Sequence, residues 1–375
     1  MKTFIVVGGG ILGAATAYHL AKAGTEVTII DRRDQGQATD AAAGIVCPWL
    51  SQRRNKAWYT LAKRGAKYYP SLIKELEKDG EADTGYARVG VVGLHSDLKK
   101  LDKMEERVQK RKEDAPEIGE VSRLSAFETK KLFPLLSDDF YSIHVSGAAR
   151  VNGRALRDAL ISGAKKHGAN FLHASAELAF EDNHVNGVKV EGSTLYANQV
   201  IIASGAWSKE ILKPLGIDFL VEPQKAQIMH LELQEVKTTT WPVVMPPSNQ
   251  YLIAFEDGRF VAGSTHEDGV GFDNRVTAAG VHEILDKTFT FAPGLVNSTV
   301  LETRVGFRPY TPGFLPVIGA VPNYEGILVA NGLGASGLTI GPYLGRELAK
   351  LALGQELEID LDLYDVAHAI EKIDT

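Results

Sequence analysis

Phe4-Ile5-Val6-Val7-Gly8-Gly9-Gly10-Ile11-Leu12-Gly13 opens the chain, and Thr25-Glu26-Val27-Thr28-Ile29-Ile30-Asp31 follows one helix length later. The β-branched run at 4–7 reads as a buried strand. Residues 12–23, with Ala14, Ala15, Tyr18 and Leu20, read as a helix that Gly24 ends in the left-handed conformation. Residues 25–30 read as a second strand ending in an acid. A strand, a glycine turn, a helix, a strand and an acid in 31 residues make a βαβ unit. In Gly8-x-Gly10-x-x-Gly13 the first glycine makes the turn and the second admits a pyrophosphate against the backbone. The third lets helix and strand pack closely. Phosphates then sit at the positive end of a helix. Asp31, 18 residues after Gly13, can accept from ribose hydroxyls. The unit predicts dinucleotide binding and does not by itself separate NAD from FAD.

The rest of the chain sets bounds. It has 375 residues, 44% apolar and 23% charged, a folded-protein composition long enough for two or three domains. A net charge of −6 argues against nucleic acid as partner. The single cysteine, Cys47, excludes an intramolecular disulfide and any multi-cysteine metal site, and suits a reducing compartment. Glycines interrupt the first apolar run, so neither a signal peptide nor a membrane span is expected. The expectation is a cytoplasmic protein.

Beyond residue 31 the first hundred residues look largely helical. Trp58 to Glu77 has helical spacing, and Leu94, Leu98, Leu101, Met104 and Val108 would share one helix face. The seven Lys/Arg and five Asp/Glu between Lys99 and Asp114 read as a solvated face. Residues 154–167 read as a helix, and 170–177, 184–190, 194–196 and 199–203 as strands. Residues 217–301 are strand-dominated, including 227–233, 251–255 and 260–262. The tail returns to a strand at 327–330 and a helix near 339–353. βα material at the start, middle and end of the chain thus surrounds a strand-rich insert. Neither metal-ligand spacing among the ten histidines, a G-x-S-x-G nor a P-loop occurs.

Four stretches together carry a resemblance. They are the unit through Asp31; Thr39-Asp40-Ala41-Ala42-Ala43-Gly44-Ile45; Val200-Ile201-Ile202-Ala203-Ser204-Gly205-Ala206-Trp207-Ser208; and the group made by Gly306-Phe307-Arg308-Pro309, Pro316-Val317-Ile318-Gly319 and Asn331-Gly332-Leu333-Gly334-Ala335-Ser336-Gly337-Leu338-Thr339. In family order and across most of the chain, they resemble the FAD-dependent amino-acid oxidoreductases of the D-amino-acid oxidase superfamily. The nearest types are glycine oxidase and the D-amino-acid dehydrogenase small subunit.

The resemblance implies an α/β fold, α+β overall: a Rossmann-like FAD-binding domain (1–85, 145–215 and 302–375) with an interleaved antiparallel-sheet substrate domain (86–144 and 216–301). It implies FAD contacts from Gly8, Gly10, Ile11, Leu12, Gly13, Asp31, Arg32, Thr39, Ala42, Ala43, Gly44 and Ile45. Further contacts come from Glu177, Ser204, Gly205 and Trp207, and from Gly332, Leu333, Gly334, Ser336, Gly337, Leu338 and Thr339. The small residues at 42–44 suit a flat flavin, and a helix starting near Leu338 would aim its positive end at the flavin N1/C2 carbonyl.

Arg308 would fork onto a substrate carboxylate, and Tyr251 would hydrogen-bond the same group. Where glycine oxidase has an arginine this chain has Ala335, which argues against strict glycine or D-amino-acid specificity. Relatives that attach flavin covalently use a cysteine near the Arg308 segment. None stands there, so FAD is expected to be non-covalent. Cys47 reads as an inert thiol. His266 falls one position from a histidine of the sarcosine oxidases, and Arg304 carries no assigned role.

The implied reaction oxidises the C–N bond of a glycine, D-amino acid or N-alkyl glycine. Hydride passes to flavin N5 and leaves an imine that water hydrolyses. Oxygen, a quinone or an electron carrier would accept the electrons, and a homo-oligomer is left open. The alternatives are a nicotinamide-dependent dehydrogenase and a non-catalytic flavoprotein. The first leaves 42–44 and 332–337 unexplained; the second leaves Arg308 unexplained.

Overall fold

The computed structural model describes residues 2–372; Met1 and residues 373–375, at the ends of the expected FAD-binding segments, lie outside it. Strand β1 (Thr3–Val7), helix α1 (Ile11–Lys22) and strand β2 (Glu26–Ile30) form the expected unit. Ala23 caps α1, and Gly24 follows in the left-handed conformation at φ +79°. Apart from His19 and Lys22, α1 is buried throughout. Its small residues make that burial feasible. A Cβ on Gly345, in the Gly337–Leu353 helix, would stand 2.7 Å from Ala15 Cβ and 2.9 Å from the Leu12 carbonyl. The two helices therefore meet nearly backbone to backbone.

A six-stranded sheet runs in the order 317–320, 327–331, 199–202, β1, β2, 170–172. All its pairs are parallel except the first, which is antiparallel. Central strands buried on both faces need continuous apolar runs, and Phe4–Val7 and Val200–Ile202 supply them. The order reverses at β1, whose neighbours are β2 and the 199–202 strand. Ligands of open parallel sheets bind outside the carboxyl ends at such a point.

The second large sheet has eight strands, in the order 299–310, 222–232, 259–263, 251–254, 243–245, 91–95, 141–145, 121–124. It is antiparallel but for one parallel pair, 243–245 with 91–95. A three-stranded meander (177–181, 184–190, 193–196) lies beside the first sheet.

Three details differ from the sequence reading. Leu94 belongs to the Val91–His95 strand, and the helix with Leu101 and Val108 on its buried face starts at Leu98. A run of leucines three or four apart crossed a turn that periodicity does not register. The stretch expected to be largely helical also holds the strands 91–95, 121–124 and 141–145. And the Thr299–Tyr310 strand, which carries Arg308, belongs wholly to the eight-stranded sheet. The expected boundary at 301/302 cuts through it.

α2 (Lys56–Lys78) spans 23 residues. The Asn55 side chain accepts from the Trp58 N–H at its start. A Cβ on Gly65 of α2 would lie 2.0 Å from the Thr339 carbonyl, so α2 presses on the first turn of the Gly337–Leu353 helix. Among the described residues no helix is long and apolar enough to cross a membrane.

Candidate active site

A cavity of about 400 Å³ lies between the two large sheets. On one side it is walled by the carboxyl ends of five strands of the six-stranded sheet, through Val7–Gly8, Ile30–Asp31, Ala174–Ala176, Ala203–Trp207 and Ala330–Asn331. On the other side stand Ala226, Met245, Tyr251, Ser264 and Gly306–Pro309. The Thr39–Ala43 loop, Ile45 and residues Leu333–Thr339 close its length.

The turn after β1 is built by distinct constraints. Gly8 sits at φ +110° with room for no side chain, since a Cβ would lie 2.5 Å from the Ala203 carbonyl. A Cβ on Gly13 would lie 1.9 Å from the Gly8 carbonyl. Gly10 is different: its Cβ would meet only Thr39 Oγ1, at 3.5 Å, and it faces the cavity. Asp31 Oδ2 accepts from the Gly9 N–H at 2.5 Å, and Oδ1 accepts from the Arg33 N–H at 2.6 Å and Gln37 Nε2 at 2.9 Å. The carboxylate therefore holds the turn itself, as well as facing the cavity. Thr39 Oγ1 accepts from the Ile11 N–H at 3.0 Å, tying the small-residue loop to the start of α1.

Of the expected cofactor residues, Gly8, Gly10, Ile11, Leu12, Asp31, Arg32, Thr39, Ala42, Ala43 and Ile45 line the cavity. So do Ser204, Gly205, Trp207, Leu333, Gly334, Ser336, Gly337, Leu338 and Thr339. Gly13, Gly44 and Gly332 do not. They are glycines for packing: a Cβ would lie 1.8 Å from the Val151 carbonyl at Gly44 and 2.0 Å from Thr311 Oγ1 at Gly332. Glu177 needs correction. It is the exposed first residue of the 177–181 strand, and the wall there is made by Ala174, Ser175 and Ala176. The small-residue run Ala174-Ser175-Ala176 was the signal for them.

At the far end, Thr339 Oγ1 donates to the Ile45 carbonyl at 2.9 Å and Trp58 Nε1 donates to Ser336 Oγ at 3.0 Å. Tyr69 donates to the Leu338 carbonyl. The N-terminus of a 17-residue helix is thereby fixed against the cavity.

The substrate-side residues come together. Arg308 Nη2 donates to Ser264 Oγ at 2.7 Å and Nη1 donates to Gln224 Oε1 at 3.2 Å. Both acceptors are neutral, and among the described residues no carboxylate comes within salt-bridge distance of Arg308. Tyr251 lies across from Gly263, one residue before Ser264. Burial raises its phenol above the ordinary value, against opposing pulls from Arg308 and Ser264. It therefore stays protonated and can donate. His266 at the rim contacts Asn249 Nδ2 through Nδ1 at 3.2 Å; burial and then Arg308 lower its pKa, which keeps it neutral.

Gln224 and Ser264, 84 and 44 residues from Arg308 in sequence, were not expected from the sequence. Only strand pairing brings them there. Cys47 lines the cavity but is buried, and desolvation pushes its thiol up to about 12, so it is no nucleophile at neutral pH. Arg304 turns away, onto Glu302 and the Asp40 carbonyl, and is structural. Among the described residues no His, Cys, Asp or Glu cluster could hold a metal.

The residues fit FAD. An acid and an arginine stand where the second strand ends, a turn faces the cavity at Gly10 with open space, alanines line the middle and a helix N-terminus the end. The family comparison agrees: the profile of the FAD dependent oxidoreductase family, DAO, matches residues 3–351. The chain is 63% identical over 371 residues to YurR, an uncharacterised oxidoreductase of Bacillus subtilis (strain 168), covering 99% of this chain and 100% of that protein. It is 30% identical to a glycine oxidase of Pseudomonas aeruginosa, covering 95% and 96%. A crystal structure of iminodiacetate oxidase from Chelativorans sp. BNC1 superposes with a TM-score of 0.94 at 46% identity, covering 96% and 98%. The chain belongs to the DAO family of FAD-dependent oxidoreductases.

Proposed function

We propose that this FAD-dependent oxidoreductase oxidises the C–N bond of a small amino acid bearing a carboxylate and an N-substituent, a glycine of the N-alkyl or N-carboxyalkyl kind. One observation carries the reading: Arg308 presents a guanidinium to the cavity with only neutral partners. A cation left unneutralised there needs an anion from the substrate. The similar protein of Chelativorans acts on iminodiacetate, a glycine whose nitrogen carries a second acetate arm. Ala335 lines the cavity as a small side chain and leaves room for such an arm.

Bound FAD would supply the acceptor for hydride from the substrate carbon at N5, leaving an imine that water hydrolyses. The chain's own residues bind and orient. Arg308 forks onto the carboxylate, and Tyr251, held protonated by burial, donates to it. Together they fix the direction of the Cα–H bond. Ala42, Ala43, Ile45 and Leu338 keep the middle of the cavity apolar and dry. No acid–base residue is needed if the amine arrives neutral. Non-covalent binding of the cofactor is expected: Cys47, the only cysteine, lies off the Arg308 segment, and desolvation raises its thiol pKa.

An anaerobic bleaching screen over glycine, D-amino acids, N-methylglycine, iminodiacetate and proline tests the substrate class. Arg308→Ala tests the anchor. Loss of charge-assisted bonds of roughly 1.5–3 kcal/mol each should lower kcat/KM about ten- to a hundredfold for carboxylate substrates, with FAD retained. Lysine at 308 should rescue only in part, because it lacks the fork. Equal losses for amines without a carboxylate would remove Arg308 from the substrate site.

A further inference from the structure

We propose that Gln224, oriented by Asp268, is the positioning residue that keeps Arg308 both fixed and uncompensated for the substrate carboxylate. The proposal rests on the reading of Arg308 as carboxylate anchor.

Gln224 faces Arg308 directly across an antiparallel pair, in the 222–232 and 299–310 strands. It is buried, 9% exposed. Its Oε1 accepts from Arg308 Nη1 at 3.2 Å, and its Nε2 donates to Asp268 Oδ1 at 2.8 Å. The amide cannot be turned round. A guanidinium only donates and an ionised carboxylate only accepts, so a flip would set donor against donor and acceptor against acceptor. Asp268 thus chooses the amide's orientation, and the amide holds the guanidinium.

The choice of a neutral side chain matters. A carboxylate touching Arg308 would hold it as well, but would form an internal ion pair in competition with the substrate. The other groups facing Arg308 are uncharged too: the Ser264 hydroxyl, the protonated Tyr251 phenol and neutral His266. Asp268, the anion on the far side of the amide, is exposed. The chain supplies orientation without neutralisation. The glutamine therefore sets the affinity for carboxylate, and touches neither the reacting carbon nor the flavin site.

Gln224→Glu is nearly isosteric and tests this. Acetate is the probe, its Kd read from the change in absorption of the bound flavin, alongside KM and kcat for a substrate from the bleaching screen. Arg308→Ala comes first: acetate binding that is unchanged in this variant, or undetectable in the wild type, overturns the anchor reading itself. With that reading upheld, Gln224→Glu should raise acetate Kd and substrate KM roughly tenfold or more at pH 8, with kcat changed much less. That loss should exceed the loss in the uncharged Gln224→Met measured at the same pH, an excess that removal of the hydrogen bond alone does not produce. Gln224→Met, which loses the bond without adding charge, should weaken acetate binding by a smaller, pH-independent factor. Wild-type acetate affinity in both variants, or a loss in Gln224→Glu no greater than in Gln224→Met, overturns the role given to Gln224. Should Gln224→Glu not fold, the methionine variant decides alone: unchanged acetate affinity there overturns it.

Discussion

Gly10 and Gly13 look alike in the motif and differ in what they face. At Gly13 the obstacle is the Gly8 carbonyl, 1.9 Å from where a Cβ would be. Gly13→Ala must push α1 away from β1, an overpacking that costs about 1–3 kcal/mol. At Gly10 the Cβ would have ordinary contact with Thr39 Oγ1, and the backbone is already extended at φ −68° and ψ −178°. Gly10→Leu should fold with stability within about 1 kcal/mol of the parent, yet come off the column colourless, because its side chain fills the pyrophosphate space. Thermal melts of the apoproteins, set beside the flavin absorbance of each preparation, separate the two roles. A yellow Gly10→Leu protein would mean that the phosphates do not lie against this turn. The spacing of the three glycines was legible in the sequence. The different reasons for Gly44 and Gly332, each abutting a distant carbonyl or hydroxyl, were not, because the obstacle lies on another part of the chain.

Elements far apart in sequence meet at the cavity rim, and one segment spans it. Ser264 through Thr277 leaves the Arg259–Gly263 strand beside Arg308 and crosses to the first sheet, where Phe272 stacks on Trp207 at 5.0 Å and Asn274 donates to Gln35 at 2.7 Å. Its inner fastening is Lys225. That side chain is fully buried, its Nζ has no hydrogen-bond partner among the described residues, and Glu267 and Asp273 lie at 3.5 and 3.6 Å. Two carboxylates on one segment are held by one buried ammonium. Removing one partner of a buried pair costs roughly 3–5 kcal/mol; with both acids about a quarter exposed, about 1–3 kcal/mol is expected for Lys225→Met. The loss should be local: limited proteolysis should cut between 268 and 276 in the variant well before the parent. An unchanged cleavage pattern would show that the segment is held without the Lys225 charge, by the aromatic stack and the bonds of Gln227 to Glu267 and Thr277. None of this was visible beforehand. A lysine in an alternating strand reads as solvent-facing, and only the return of residues 265–273 over it makes an interior of that face. The strand at 91–95 escaped for a related reason: its partners, 243–245 and 141–145, lie about 150 and 50 residues away.

At the scale of the molecule the chain crosses between two sheets several times, and the cavity lies at the seam between them. The first sheet was legible because three of its strands, β1, 199–202 and 327–331, are largely apolar runs that lead into glycine turns. The second was legible as strand-rich sequence without its order, since antiparallel register over such distances depends on pairings that no local pattern encodes. Away from the seam, α1, α2 and the Gly337–Leu353 helix converge on His19. Its Nε2 contacts Tyr68 Oη of α2 at 2.8 Å. Burial raises the Tyr68 phenol, so that hydroxyl stays protonated beside the imidazole. Burial first, then Arg346, Lys22 and Lys350, pushes His19 from 6.5 down to about 3. In the unfolded chain the same imidazole titrates at its ordinary value. Between those two values the unfolded state binds a proton that the folded state refuses, so stability falls as pH drops from about 6.5 toward 3, with a slope of up to about 1.4 kcal/mol per pH unit from this group. His230, lowered to about 4 by burial and then Arg304, adds in the same sense. His19→Gln keeps a hydrogen-bonding group for Tyr68 but cannot titrate. Its urea midpoint should therefore sit below the parent's at pH 7.5, by the loss of ring packing, and close on it by pH 4.5. Parallel midpoints at the two pH values would mean that the three-helix junction admits the charged imidazole, and that its burial contributes nothing to the acid limit of the fold.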